Sequence, residues 1–229
     1  MHTATIFIAL DGMTRPKAMR LTRALTRSRH AHLIAGFKVH DLWDRYGARI
    51  FLDLKKSGAT TIWLDVKLHD TPRTLLLRAK ALREHGVDLL SVHAGSGVRG
   101  LRAVASSGVK VVAVTVLTSL DHKEVARVYV STARQAVRRL VAIAKEAKVW
   151  GAVCSAEEVP YLSKTKGVKF VVPGIQLKKK LSTNQKRTGT PLETLRAGAD
   201  YIVVGSAITD SRDPLATFER IAVELSSDS

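Results

Sequence analysis

Eight short runs of apolar, largely β-branched residues recur along the chain, and their spacing restricts the fold more than any other feature. They are ATIFIAL (4–10), HLIAGFKV (32–39), TTIWLDVK (60–67), VDLLSVH (87–93), KVVAVTVL (110–117), VWGAVCS (149–155), VKFVVPG (168–174) and DYIVVGS (200–206). Most are nearly continuous in hydrophobicity, as strands covered on both faces must be. The segments between them are amphipathic. In TPRTLLLRAKALREHG (71–86), Leu75, Leu76, Ala79 and Leu82 fall on one helical stripe and Arg78 and Arg83 on another. Asp70 or Thr71 suits the N-cap of that helix, Pro72 its first turn and Gly86 its C-terminal stop. HGVD (85–88) and AGAD (197–200) repeat one helix-to-strand hinge. Eight such β/α units at roughly 20–35-residue spacing predict a (β/α)8 TIM barrel. The competing fold, an open doubly wound sheet, usually has fewer strands. It also needs a glycine-rich turn after strand 1, and ALDGMT lacks the second and third glycines.

The 229 residues are 45% hydrophobic, enough for one well-buried core, and no Pro/Gly/Ser linker or composition shift divides them. One barrel domain over 1–229 is the expectation. No run approaches the ~18 apolar residues of a transmembrane helix. The start, MHTATIFIALDG, has neither a basic n-region nor a long apolar h-region and reads as the first strand. The single cysteine, Cys154, excludes an internal disulfide, suits a reducing, cytoplasmic setting and reads as a small buried hydrophobe. The net charge of +17 would attract anionic ligands and bind nucleic acid non-specifically. The basic residues are spread over 20–30, 133–140, 164–169 and 177–187, and aromatics do not interleave with them. That pattern is a solvated surface rather than a single-strand stacking platform.

In a barrel of this kind, chemistry sits at the carboxyl ends of the strands. The polar residues there are Asp11 after strand 1, Lys38 and His40 after strand 2, Asp65, Lys67 and Asp70 on strand 3, His93 on strand 4, and Thr118 and Ser119 after strand 5. Pro173 and Gly174 follow strand 7, and Gly205 and Ser206 follow strand 8. Side chains alternate along a strand, so Asp65 and Lys67 should face the same way, with Asp70 turning back over them. Asp11 and Lys38 extend this into an alternating carboxylate–ammonium array. The alternative is a purely structural ion-pair network, but buried ions cost several kcal/mol each unless well paired. Neighbouring acids keep the lysines protonated, which suits a proton donor and disfavours a Schiff-base nucleophile. His93 reads as a hydrogen-bonded core histidine. The loop after Pro173 and the backbone N–H groups at Gly205 and Ser206 suit a phosphate; its lysines 178–180 suit a solvated loop equally well.

LDVKLHDTPRT (64–74) resembles the signature of the orotidine 5′-phosphate decarboxylase family, Asp-x-Lys-x-x-Asp followed by Thr/Ile-Pro and a polar residue. IALD, FKV, VHAGSG, VTVLTSL, AVCSAEE and VPGI…NQKR…TPLETLRAGADYIVVG agree with it in order, over about residues 5 to 215. The resemblance implies a homodimeric barrel with no cofactor and no metal. Such an enzyme converts orotidine 5′-monophosphate to uridine 5′-monophosphate and carbon dioxide. By motif position, Lys67 would protonate C6 and Asp65 would hold Lys67 beside the departing carboxylate. Lys38 would complete the array and, with Asp11, hold the ribose hydroxyls. Asp70 and Thr71 would reach into the partner subunit's site, and Thr74 closes the same motif as a substrate-binding position. Thr118 or Ser119 would touch the pyrimidine, with Pro173, Gln185, Gly205 and Ser206 toward the phosphate.

The family usually carries arginine where this chain has Gln176 and Ser206. A bidentate phosphate clamp is thereby lost, and Lys178, Lys179, Lys180, Lys186 or Arg187 is expected to replace it. Two other readings stand beside this one. One is a metal-dependent keto-sugar-phosphate decarboxylase sharing the Asp-x-Lys-x-x-Asp core. The other is a decayed barrel that binds RNA through its basic surface.

Overall fold

The computed structural model describes residues 5–177 and 189–227. All eight expected strands form: β1 (Ile6–Ala9), β2 (Ile34–Val39), β3 (Ile62–Leu68), β4 (Leu89–His93), β5 (Lys110–Val114), β6 (Gly151–Val153), β7 (Lys169–Val172) and β8 (Tyr201–Val204). Each pairs in parallel with its sequence neighbours, and β1 pairs with β8 to close the barrel. Helices cover the outside, as parallel strands require.

Near-continuous hydrophobicity follows from two apolar layers. Ile6 and Ile8 on β1, Ile62 and Leu64 on β3, and Ile202 and Val204 on β8 face the helices. Phe7, Ala9, Trp63, Leu89, Val112, Val171 and Val203 fill the barrel interior. At the amino end the interior is closed by aromatic rings. Trp150 and Tyr201 stand 5.1 Å apart, Phe7 lies 5.1 Å from Trp63 edge-on, and the Lys169 ammonium sits 5.2 Å from the Trp150 ring centre. The opposite end is left for polar groups.

The helix expected after β3 runs Pro72–Glu84, with Pro72 in its first turn and Leu75, Ala79 and Leu82 buried; Leu76 lies at the edge of the stripe. Thr71 occupies the N-cap position without capping, because its hydroxyl bonds Thr74 Oγ1 at 3.1 Å instead. The repeated hinge is one structural device used twice. Gly86 and Gly198 take φ values of +88° and +106° just past their helices. The next residue then donates five positions back, Val87 to the Leu82 carbonyl and Ala199 to the Thr194 carbonyl. The aspartate that follows pins the preceding strand: Asp88 accepts the Ile62 N–H at 2.8 Å and Asp200 the Phe170 N–H at 2.7 Å. Among the described residues, no helix is long and apolar enough to cross a membrane.

Candidate active site

The chemistry-bearing stretch of β3 is not a regular strand. Leu64 pairs with Leu90 and Leu68 with Val92, so Asp65, Val66 and Lys67 all stand opposite the single residue Ser91. Lys67 accommodates the extra length with φ at +45°, in the left-handed region. A non-glycine residue there costs of order 1–3 kcal/mol and persists only where its surroundings hold it. Strict alternation would have turned Asp65 and Lys67 to the same face. The structure brings them together through this bulge instead.

The bulge delivers a four-residue ionic chain. Lys38 Nζ lies 2.6 Å from Asp11 Oδ2 and 3.1 Å from Asp65 Oδ2. Lys67 Nζ lies 2.9 Å from the same Asp65 oxygen. Two carboxylates and two ammoniums sum to zero charge, which is how the barrel tolerates them. Burial works against the charged form of Lys38, but Asp65 and Asp11 together outweigh it and hold its pKa above the usual lysine value. Burial likewise opposes ionisation of Asp65. Lys38, Lys67 and a hydrogen bond from Ser91 overcome it, so its pKa lies below the usual carboxylate value.

The two lysines are not equivalent. The Lys38 side chain is 8% exposed and locked between two acids, whereas that of Lys67 is 37% exposed. Both line a cavity of about 720 Å³ at the carboxyl end of the barrel, with Asp11, His40, Asp65, Thr118, Pro173, Gln176, Gly205 and Ser206. Val114, Val116, Leu117, Val153 and Val203 give it an apolar wall. An ammonium with one side open to such a space can stabilise and then protonate a carbanion.

The family model "Orotidine 5'-phosphate decarboxylase / HUMPS family" matches residues 4–221. The chain belongs to that family. Proteins named orotidine 5′-phosphate decarboxylase from Saccharophagus degradans and Dichelobacter nodosus are each 35% identical to it. They cover 96% and 98% of this chain and 94% and 100% of their own. Among solved structures, the orotidine 5′-phosphate decarboxylase of Lactobacillus acidophilus superposes with a TM-score of 0.77 at 29% identity, covering 97% of this chain and 99% of that one. The enzyme of the same name from Pyrococcus horikoshii gives 0.81 at 25% identity, covering 96% and 99%.

Not every family-motif residue reaches the cavity. Asp70 does not fold back over Lys67. It is exposed, and its carboxylate accepts the Thr71 N–H at 2.7 Å, since the chain has already turned outward to start the helix. Thr71 and Thr74 follow it onto the rim. Ser119 is exposed and lies outside the cavity lining, one turn position beyond Thr118. Gln185, Lys178, Lys179, Lys180, Lys186 and Arg187 lie outside the described residues. Cys154 is fully buried and burial pushes its thiol well up, as an inert core residue. His93 is half-buried with its ring centre 5.5 Å from that of His69; burial, then His69 and Lys67, depress its pKa.

Sequence reasoning assigned no role to three residues that shape the site. His40 lies on the rim, with Nδ1 3.7 Å from Asp11 Oδ1 and 3.1 Å from Asp41 Oδ1. Ligand atoms of Asp11, His40 and Asp41 lie within 4.8 Å of one another, close enough to share a cation. Asp11 is already committed to Lys38, however, and Asp41 to the Gly12 N–H and to Arg45. Ser91 and Trp63 lie beneath Asp65 inside apolar runs, and only the place of Ser91 opposite the bulge, with the Trp63 N–H bonded to it, gives them away.

Proposed function

We propose that the chain decarboxylates orotidine 5′-monophosphate to uridine 5′-monophosphate and carbon dioxide, the last step of de novo pyrimidine nucleotide synthesis. One observation carries the reading: the Lys67 ammonium, held by Asp65 at 2.9 Å, is the lysine of the array with an open side toward the cavity. In this reading the bond from C6 to the carboxylate breaks and its electron pair stays on C6. Lys67 stabilises that developing charge and transfers a proton from Nζ to C6. The neutral amine then regains a proton from water, so each turnover takes up one proton. Asp65 holds Lys67 in place, and Lys38, paired with the same carboxylate oxygen, fixes Asp65. Asp11 and Lys38 face the ribose, and Thr118 the pyrimidine. No cofactor or metal takes part.

The phosphate is bound at the Pro173, Gly205 and Ser206 side of the mouth, with Gln185 and the cations among residues 178–187 in place of the family's usual arginines. Binding energy from that remote group lowers the barrier at C6. Asp70 and Thr71, facing away from their own cavity, complete the site of a partner subunit in a homodimer. The enzyme works in the cytoplasm, where Cys154 stays a free thiol. The names of the relatives and their near-full-length coverage support the substrate.

The decisive experiment follows the loss of orotidine 5′-monophosphate by its absorbance, beside a Lys67→Ala control. Turnover in the wild type alone supports the reading, and no wild-type turnover refutes it in favour of a binding role for the +17 surface. Among the described residues, the Asp11, His40 and Asp41 cluster is the feature that favours a metal-dependent sugar-phosphate decarboxylase. Activity that survives exhaustive chelation excludes that alternative.

A further inference from the structure

Beneath the ionic chain lies a hydrogen-bond relay with a fixed direction. Trp63 Nε1 donates to Ser91 Oγ at 2.8 Å, and Ser91 Oγ donates to Asp65 Oδ1 at 2.6 Å. Ser91 is fully buried and Trp63 is 2% exposed, so water does not compete for these bonds. An indole N–H can only donate. It occupies the serine oxygen as acceptor and leaves the single hydroxyl proton to point at Asp65. The carboxylate's two oxygens are thereby divided. Oδ1 takes the serine, while Oδ2 takes both Lys38 at 3.1 Å and Lys67 at 2.9 Å.

We infer that Ser91 and Trp63 are positioning residues for the proton donor: they hold Asp65 in the rotation that aims Lys67 at the reacting carbon. The inference rests on the decarboxylase reading above. Without the serine, the carboxylate is free to rotate and give one oxygen to each lysine, which draws Lys67 off its line. The place of Ser91 in the fold supports this. It is the one residue of β4 opposite the three-residue bulge that carries Asp65 and Lys67. Trp63 ties the relay to the barrel interior, since it also lines the cavity floor and packs edge-on against Phe7 at 5.1 Å. A buried, fully paired relay of this kind fixes geometry more than it adds stability.

The test compares Ser91→Ala, Ser91→Thr and Trp63→Phe in the full chain. Ser91→Ala should lower kcat for orotidine 5′-monophosphate about ten- to a hundredfold, the worth of a hydrogen bond to a charged group, with KM nearly unchanged. Ser91→Thr keeps the hydroxyl and should recover most of the loss. Trp63→Phe frees the hydroxyl to turn and should show a smaller fall in kcat. A crystal structure of Ser91→Ala should show the Asp65 carboxylate rotated and Lys67 Nζ displaced. Wild-type kcat in Ser91→Ala overturns the inference. So does an equal loss in Ser91→Ala and Ser91→Thr with matching falls in Tm, which marks a packing role only. If Ser91→Ala does not fold, unchanged kcat in Trp63→Phe overturns it. If the wild type itself does not turn over the nucleotide, the decarboxylase reading fails. The relay is then judged by the crystal structure alone, where an unmoved Asp65 overturns it.

Discussion

Lys67 Nζ and Asp65 Oδ2 meet at 2.9 Å across a backbone that has left strand geometry, with Lys67 at a φ of +45°. The contact and the strain belong together. A regular strand would have carried position 67 along the β4 ladder. The bulge instead gathers three residues opposite Ser91 and sets the lysine beside Asp65 at the cavity wall. Local strain is thus spent on aiming one ammonium.

Removing that ammonium should abolish the reaction while leaving the fold. Lys67→Ala should lower kcat at least about a thousandfold, because it deletes both the charge that stabilises the carbanion and its proton source. The half-exposed position predicts a Tm close to wild type. Calorimetry beside the absorbance assay checks both parts, and retained turnover would remove Lys67 from the mechanism.

The array should make stability flat across neutral pH and fall away at both extremes. Asp65 has a folded pKa below its unfolded value, so its contribution is complete above about pH 4 and is lost as pH falls through the folded value. Lys38 has a folded pKa above its unfolded value, so its contribution is complete below about pH 10 and is lost as pH rises through the folded value. Thermal melts from acid to alkaline pH should show a plateau between these limits. Asp65→Asn should make the acid decline shallower; an unchanged acid limb would separate Asp65 from acid denaturation.

Gly36 on β2 should tolerate no side chain. A Cβ there would lie 2.8 Å from the Thr61 carbonyl oxygen and 3.0 Å from the Phe7 ring, neither able to withdraw easily in a closed barrel. Gly36→Ala should cost about 1–3 kcal/mol by overpacking. A lower urea midpoint with an unchanged slope is the expected result.

Asp70 points away from its own cavity, and the homodimer reading gives it a use. Lys67→Ala and Asp70→Asn, each weakened alone, should recover activity when the two are mixed under conditions that exchange subunits. A mixed dimer then holds one site with the lysine from one chain and the aspartate from the other. Mixing without recovery would place Asp70 outside the partner's site.

The eight strands were legible because closing a parallel barrel under helices demands two apolar faces, and that demand writes continuous runs. Strand limits were less legible. VWGAVCS extends from 149 to 155, yet the strand itself is only Gly151–Val153, because hydrophobicity continues past the point where regular strand geometry stops. The Asp11, Lys38, Asp65 and Lys67 array could be read because charges at the ends of apolar runs stand out. Ser91 and Trp63 could not, since a serine and a tryptophan inside such runs are ordinary residues until the register is known. The direction of the Asp70 side chain was not legible for a related reason. Its direction depends on where the strand yields to Thr71 and Pro72, and spacing alone does not contain that angle.

The aspartates that follow the two glycine hinges, Asp88 and Asp200, fasten the β3–β4 and β7–β8 seams, four units apart around the ring and at the end remote from the cavity. Closure of the ring is therefore clasped at opposite points by groups that take no part in catalysis. A lineage could rebuild the rim, even exchanging the residues that grip a phosphate, without reopening the question of whether the chain folds.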